Sequence, residues 1–189
     1  MNRRQAIERV AWILGGTVIG TEFFISGCKP TASKVDDLFD EKNVAFMDEV
    51  AETILPRTST PGAKDAKVGQ FMAVMVRDCY TKEDQKVFID GLGKLDDASQ
   101  KLIKAKFMDA SPEERVKVLA ALDKEQMEYS KTKKKEDPNH YYRMIKELTL
   151  LGYFTSEPGC TKAMRYLPVP GKFDGNYPYK KGDKAWALA

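Results

Sequence analysis

The sequence predicts an all-α fold, a small bundle of about six helices finished by an irregular C-terminal wrap. Three observations carry that expectation. Apolar residues recur at three- and four-residue steps along most of the chain, and no stretch shows the alternation of a half-buried strand. Helix-start and helix-stop residues punctuate those periodic runs. From Tyr153 to the end, 37 residues hold four Gly, four Pro and seven aromatics without any period. Disordered segments are poor in aromatics, so this stretch is read as ordered coil laid over a surface that buries its rings. That surface is expected to be partly the chain's own helices and partly another subunit.

The 189 residues suit one domain with a real core. Residues 1–27 read as a leader. Arg3 and Arg4 open it, a short apolar stretch runs from Val10 to Gly20, and Ile25-Ser26-Gly27-Cys28 follows. A positive start, a brief apolar run and small residues before a processing point are the parts of a secretory signal. The run is shorter than the roughly 20 residues a spanning helix needs. The arginine pair resembles a twin-arginine export signal, which serves proteins that cross a membrane already folded. ISGC resembles a bacterial lipobox, in which Cys28 is lipidated and becomes the new N-terminus. Residues 28–39 then form a lipidated polar tether, and residues 40–189 a single helical domain.

Within that domain, Val44, Met47, Ala51, Ile54 and Leu55 share one helix face until Pro56 stops it, and Arg57–Ala66 is a loop rich in Ser, Thr, Pro and Gly. Val68, Phe71, Met72, Met75, Val76 and Cys79 give the cleanest amphipathic pattern and are expected in the core. Thr81 caps a third helix with acids in its first turn; its apolar positions are Val87, Phe88, Leu92 and Leu95, and Gly91 and Gly93 weaken its end. Asp96-Asp97-Ala98-Ser99 restarts the chain, with Leu102, Ile103 and Phe107 inward. Ser111-Pro112-Glu113-Glu114 opens a helix carrying Val116, Leu119, Ala120 and Met127. The basic run Lys131–Lys135 is a solvated linker. Asp137-Pro138 begins a last helix with Tyr141, Ile145 and Leu148 on one side, and Gly152 is placed to stop it.

Chemistry is sparse in this sequence. The formal net charge of +3 predicts no nucleic-acid partner, because such domains cluster excess Lys and Arg. The single histidine, His140, rules out a His-based metal site and reads as a surface or interface residue. No C-x-x-C-H, Cys cluster or strand–GxGxxG–helix occurs, so no haem, zinc or dinucleotide cradle is expected in this chain. Glu52 lies beside apolar positions but is not nominated as a catalytic acid. Cys79 and Cys160 leave two readings open. In an oxidising compartment they form a disulfide whose loop of about 80 residues stabilises by about 4–5 kcal/mol on chain-entropy grounds. Otherwise Cys79 is a small core residue and Cys160 is independent.

Two blocks of sequence carry a family resemblance. Ala51–Asp96 runs AETILPRTSTPGAKDAKVGQFMAVMVRDCYTKEDQKVFIDGLGKLD, and Leu148–Pro178 runs LTLLGYFTSEPGCTKAMRYLPVPGKFDGNYP. Together with the paired-arginine leader they resemble the gluconate 2-dehydrogenase subunit 3 family, small subunits of membrane-bound, flavin-dependent sugar and sugar-acid dehydrogenases. The resemblance implies a chain without catalytic, cofactor-binding or metal residues of its own. It implies FAD in a separate large subunit of the glucose–methanol–choline type, and haem in a cytochrome subunit that passes electrons on. It implies binding to the large subunit, a part in its maturation and an escort for its export. ISGC departs from the family pattern and points to a lipid anchor on the exported side of a membrane. Tyr153, Phe154, Arg165 and Tyr166 are the expected partner contacts, since aromatics and Arg dominate buried interface centres. A stand-alone surface lipoprotein with a binding or structural role is the rival from another class.

Overall fold

A computed structural model describes residues 35–169 and 171–187; the leader with Arg3, Arg4 and Cys28 lies outside the described residues. Five α-helices make up the bundle: α1 Glu41–Ile54, α2 Val68–Cys79, α3 Lys82–Ile103, α4 Pro112–Thr132 and α5 Tyr141–Phe154. Two 3-10 turns (Asp37–Phe39, Phe107–Asp109) and a π-helical turn (Gly159–Ala163) complete the regular structure, and no β-strand forms among the described residues. The fold is all-α, as the periodicity predicts.

Local chemistry sets the boundaries. The Thr81 hydroxyl accepts from the Asp84 amide at 3.2 Å, starting α3. Ser111 and Glu114 close a reciprocal capping box at the start of α4, with Pro112 at the first helical position. His140 caps α5: its Nδ1 accepts from the Tyr142 amide at 3.3 Å. The last helix therefore begins at Tyr141, three residues after Pro138.

α5 is the central element and packs against each of the other four helices. It sends Tyr141, Tyr142, Met144, Ile145, Leu148, Thr149 and Tyr153 into the interior. Around it lie Met47, Val50 and Ala51 of α1, Val68, Met72, Ala73 and Val76 of α2, Phe88 and Leu95 of α3, and Val118, Leu119 and Leu122 of α4. Phe88 and Phe107 are fully buried, each contributing about 1.5–3 kcal/mol relative to an exposed ring. The helices approach closely where a side chain is missing. A Cβ on Gly91 would lie 2.7 Å from Tyr141 Cγ, and one on Gly152 would lie 2.6 Å from Phe71 Cδ1.

Several expectations are corrected. Asp96–Ser99 is the interior of α3, which runs 22 residues without a break. Its polar side chains stitch the following loop, the Phe107 amide donating to Asp96 and the Ser99 hydroxyl donating to the Ala105 carbonyl, both at 2.9 Å. Gly152 does not stop α5, which continues to Phe154; its missing side chain is used for packing. Leu102, Val116, Ala120, Met127 and Cys79 face solvent, their helices being turned to bury neighbouring positions. The described part of the stretch read as tether, from residue 35, already joins the core, with Leu38 2% exposed. Of the rings of the C-terminal wrap, Tyr153 is buried against the chain's own helices as expected, whereas Phe173, 96% exposed, and Tyr179, 74% exposed, are not.

Candidate functional site

The two blocks that carry the resemblance meet at one face, and α1 builds half of it. Asp48, Glu49 and Glu52 lie on one side of that helix, and each anchors backbone or a cation of a later segment. Glu52 accepts the Arg57 amide at 2.9 Å with one oxygen and the Lys64 amide at 2.8 Å with the other. Asp48 accepts the Gly69 amide at 2.7 Å. Burial raises the Asp48 pKa above the ordinary carboxylate value, and the Gly69 bond opposes that shift. Glu49 pairs with Lys64 and with the half-buried Arg115 of α4. Inside the loop, Asp65 accepts the Gly62 amide at 2.9 Å and pairs with Arg57. The Gly62 bond, then that of Arg57, holds the Asp65 carboxyl below the usual range. The sequence RTSTPGAKD is thus a loop folded on carboxylates rather than on a core of its own.

The C-terminal end of α5 supplies the other half. The Tyr153 hydroxyl donates to the Pro61 carbonyl at 2.6 Å, tying the second block to the first. The chain then winds into the π-helical turn, where the Gly159 amide donates to the Ser156 hydroxyl at 3.1 Å. Any Cβ at Gly159 would collide with the Tyr153 carbonyl oxygen, so only glycine fits. Between the loop and this turn opens a groove of about 580 Å³. Arg57, Thr58, Ser59, Thr60 and Asp65 line one wall, and Glu157, Thr161 and Lys162 the other. The groove is of mixed character, with Pro61 and Pro158 beside hydroxyls, two cations and two carboxylates.

Past the turn, the chain forms a clasp. The Arg165 amide donates to the Ala185 carbonyl and the Ala187 amide to the Arg165 carbonyl, both at 2.8 Å. The Arg165 guanidinium lies 4.4 Å from the Trp186 ring centre and 5.5 Å from that of Tyr177, an arrangement favoured by cation–π attraction.

The expected contact residues separate into two kinds. Tyr153 is 4% exposed and serves the fold. Arg165 is held in the clasp. Phe154 and Tyr166 are 39% and 46% exposed and remain free to touch another molecule. His140 caps the far end of α5, about 20 Å along that 14-residue helix. It is more enclosed than a surface histidine, stacking on Tyr141 at 4.4 Å with Nε2 3.5 Å from Glu125. The disulfide is not made, and Cys79 and Cys160 are free thiols. α2 packs with Phe71 near its start against Gly152 near the end of α5. Cys79, at the other end of α2, is therefore about 12 Å further along the axis and away from the turn that holds Cys160.

Asp48, Glu49, Asp65 and Trp186 were missed as site-building residues, and Glu52 was weighed only as a catalytic acid. A readable signal exists for Asp48, Glu49 and Glu52, carboxylates within about one turn on the helix preceding a Gly/Pro loop. Trp186 has none, because its partner lies 21 residues earlier in irregular chain. No cluster of three or more His, Cys, Asp or Glu able to hold a metal ion occurs among the described residues.

No curated protein and no solved structure matches the chain. The family model for gluconate 2-dehydrogenase subunit 3 matches residues 41–171, which takes in all five helices, the carboxylate-built loop and the π-helical turn. The chain belongs to the gluconate 2-dehydrogenase subunit 3 family.

Proposed function

We propose that this chain is the non-catalytic small subunit of a membrane-associated, FAD-dependent sugar or sugar-acid dehydrogenase. It binds a large subunit of the glucose–methanol–choline type, helps it mature and carries it out of the cytoplasm. The flavin belongs to that large subunit, and a cytochrome subunit takes the electrons. The leader supplies the address through Arg3 and Arg4, and Cys28 supplies the lipid anchor on the exported side. The observation that carries the reading is the face where the two family blocks join. Asp48, Glu49, Glu52 and Asp65 are committed to backbone amides and ion pairs, so they hold a shape rather than activate a nucleophile. Beside that shape stand the half-exposed rings of Phe154 and Tyr166, the residue types that anchor protein interfaces. A partner-binding subunit accounts for those open rings better than a stand-alone lipoprotein does.

The test is co-expression with the candidate large subunit, with Arg3 and Arg4 intact or both changed to Lys. Dehydrogenase activity is expected outside the cytoplasm only with the intact pair. Export of that activity unchanged by the double substitution overturns the escort role. Phe154→Ser with Tyr166→Ser is expected to abolish co-purification of the large subunit while the chain remains folded by far-UV circular dichroism. Undiminished co-purification moves the interface elsewhere.

A further inference from the structure

Residues beyond Arg165 form a closed loop, and its construction separates groups that hold it from groups it displays. The neck is the two-bond bridge between Arg165 and the Ala185–Ala187 strand of chain, with the Arg165 guanidinium stacked on Trp186 and Tyr177. The Tyr177 and Trp186 rings meet edge to face at 5.5 Å. Two tight turns shape the rest. In the first, the Asp174 carboxylate accepts the Asn176 amide at 3.0 Å and the Asp174 carbonyl accepts the Tyr177 amide at 3.3 Å. In the second, the Asp183 carboxylate accepts the Lys180 amide and the Lys180 carbonyl accepts the Asp183 amide, both at 3.0 Å. Gly182 provides the positive φ, +95°, that the third position of such a turn requires.

Both carboxylates of the segment are thus engaged in its turns. Residues 162–187 contain six Lys or Arg against these two Asp, a net of +4 in a chain whose total is +3. Lys172, Lys180 and Lys181 pair with no carboxylate of the described residues. Between them stand Phe173 and Tyr179, 96% and 74% exposed. A prefolded loop therefore presents two exposed rings, each next in sequence to an uncompensated lysine.

We infer that this loop docks on an anionic lipid surface. The buried centres of protein interfaces favour Trp, Tyr and Arg and are depleted in Lys; here Arg165 is stacked in the neck, Trp186 is partly covered by it, and the most exposed groups are Lys, Phe and Tyr. Lysines that reach acidic headgroups, with rings settling at the headgroup level, are how peripheral segments hold a negatively charged bilayer. No helix among the described residues is long and apolar enough to cross a membrane, so the contact is peripheral. It orients the domain by a second point, independent of any lipid on Cys28.

The test uses the full chain carrying Cys28→Ser, so that every sample shares the same unlipidated leader. Binding is measured by co-sedimentation with vesicles of phosphatidylcholine alone or with added phosphatidylglycerol. The parent chain is expected to bind the anionic vesicles and to be released by salt. Changing Lys172, Lys180 and Lys181 together to Gln is expected to weaken that binding at least about tenfold, given the pull of an acidic surface on each cation. Phe173→Ser with Tyr179→Ser is expected to weaken it as well, and all variants should melt with the parent because the substituted side chains are exposed. Equal binding to neutral vesicles, or no effect of the lysine changes, overturns the inference. So does loss of large-subunit capture in the lysine variant with vesicle binding intact, which makes the loop a protein contact. Capture of the large subunit by every variant leaves the subunit reading standing whatever the vesicles show.

Discussion

Gly91 and Gly93 lie two residues apart in α3, and the structure assigns them opposite responses to the same substitution. A Cβ at Gly93 meets nothing within 4 Å. Gly93→Ala then gains helix propensity alone and should stabilise by about 0.8–1 kcal/mol. At Gly91 the added methyl would stand 2.7 Å from Tyr141 Cγ and nearer still to Tyr141 Cβ, against the 3.5–4.0 Å of a relaxed carbon–carbon contact. Tyr141 cannot swing clear, because its Cβ is fixed to the first turn of α5. Relief requires α3 and α5 to part by about 1 Å along a seam that buries Tyr141, Phe88 and Leu95. Overpacking of this kind costs about 1–3 kcal/mol or more, and only part is offset by propensity. The propensity gain is common to both, so the two variants should differ by the overpacking cost, at least about 1 kcal/mol, or roughly 2–4 °C in melting temperature for a domain of this size. Urea melts of the parent and both variants, followed by far-UV circular dichroism, measure the difference. If Gly91→Ala is as stable as Gly93→Ala, the close approach of α3 and α5 is wrong.

Other substitutions probe the candidate face and its supports. Tyr153→Phe removes the donor to the Pro61 carbonyl and should cost about 1–2 kcal/mol in denaturant midpoint; no change would mean the two blocks are not joined there. Glu52→Ala releases the Arg57 and Lys64 amides and should speed proteolysis within residues 57–66 while leaving helical content intact. Asp48 has a folded pKa raised by burial, so its ionisation weakens the fold as pH rises from below the unfolded value through the raised one. Asp48→Asn keeps an acceptor for Gly69 and should therefore compare more favourably with the parent at pH 7 than at pH 3; the reverse trend refutes the assignment. Alkylation without reductant should label both Cys79 and Cys160, with exposed Cys79 the faster, and a mass lacking both labels would restore the disulfide.

Helices were legible wherever a pattern and a cap agreed. Thr81, Ser111 and the face Val68–Val76 are read directly from spacing, because local hydrogen bonds and one-sided burial act within a few residues. Ends were misread where a residue with local meaning was overruled by packing. Gly152 and Gly91 look like breakers in one dimension and are clearances for Phe71 and Tyr141 in three. Asp96 and Ser99 look like a restart and are anchors for the loop after α3. Exposure of Val116 and Met127 was invisible because α4 contacts the bundle along one narrow line, and the sequence does not say which. The candidate site was half legible: the family blocks flag both segments, and their composition marks the rings. That Tyr153 would be buried and Phe154 open, though adjacent in sequence, depends on where α5 lies against the loop, and no short-range rule contains it.

The bond from Tyr153 to Pro61 spans 92 positions. A chain still emerging from the ribosome can form α1 and even fold Glu52 onto its loop, yet it cannot display the joined face until α5 has arrived and docked. Under the proposed function, recognition is thereby coupled to completion. A large subunit that reads this face would ignore nascent or partly unfolded copies, and only a finished small subunit would commit a flavoprotein to departure from the cytoplasm.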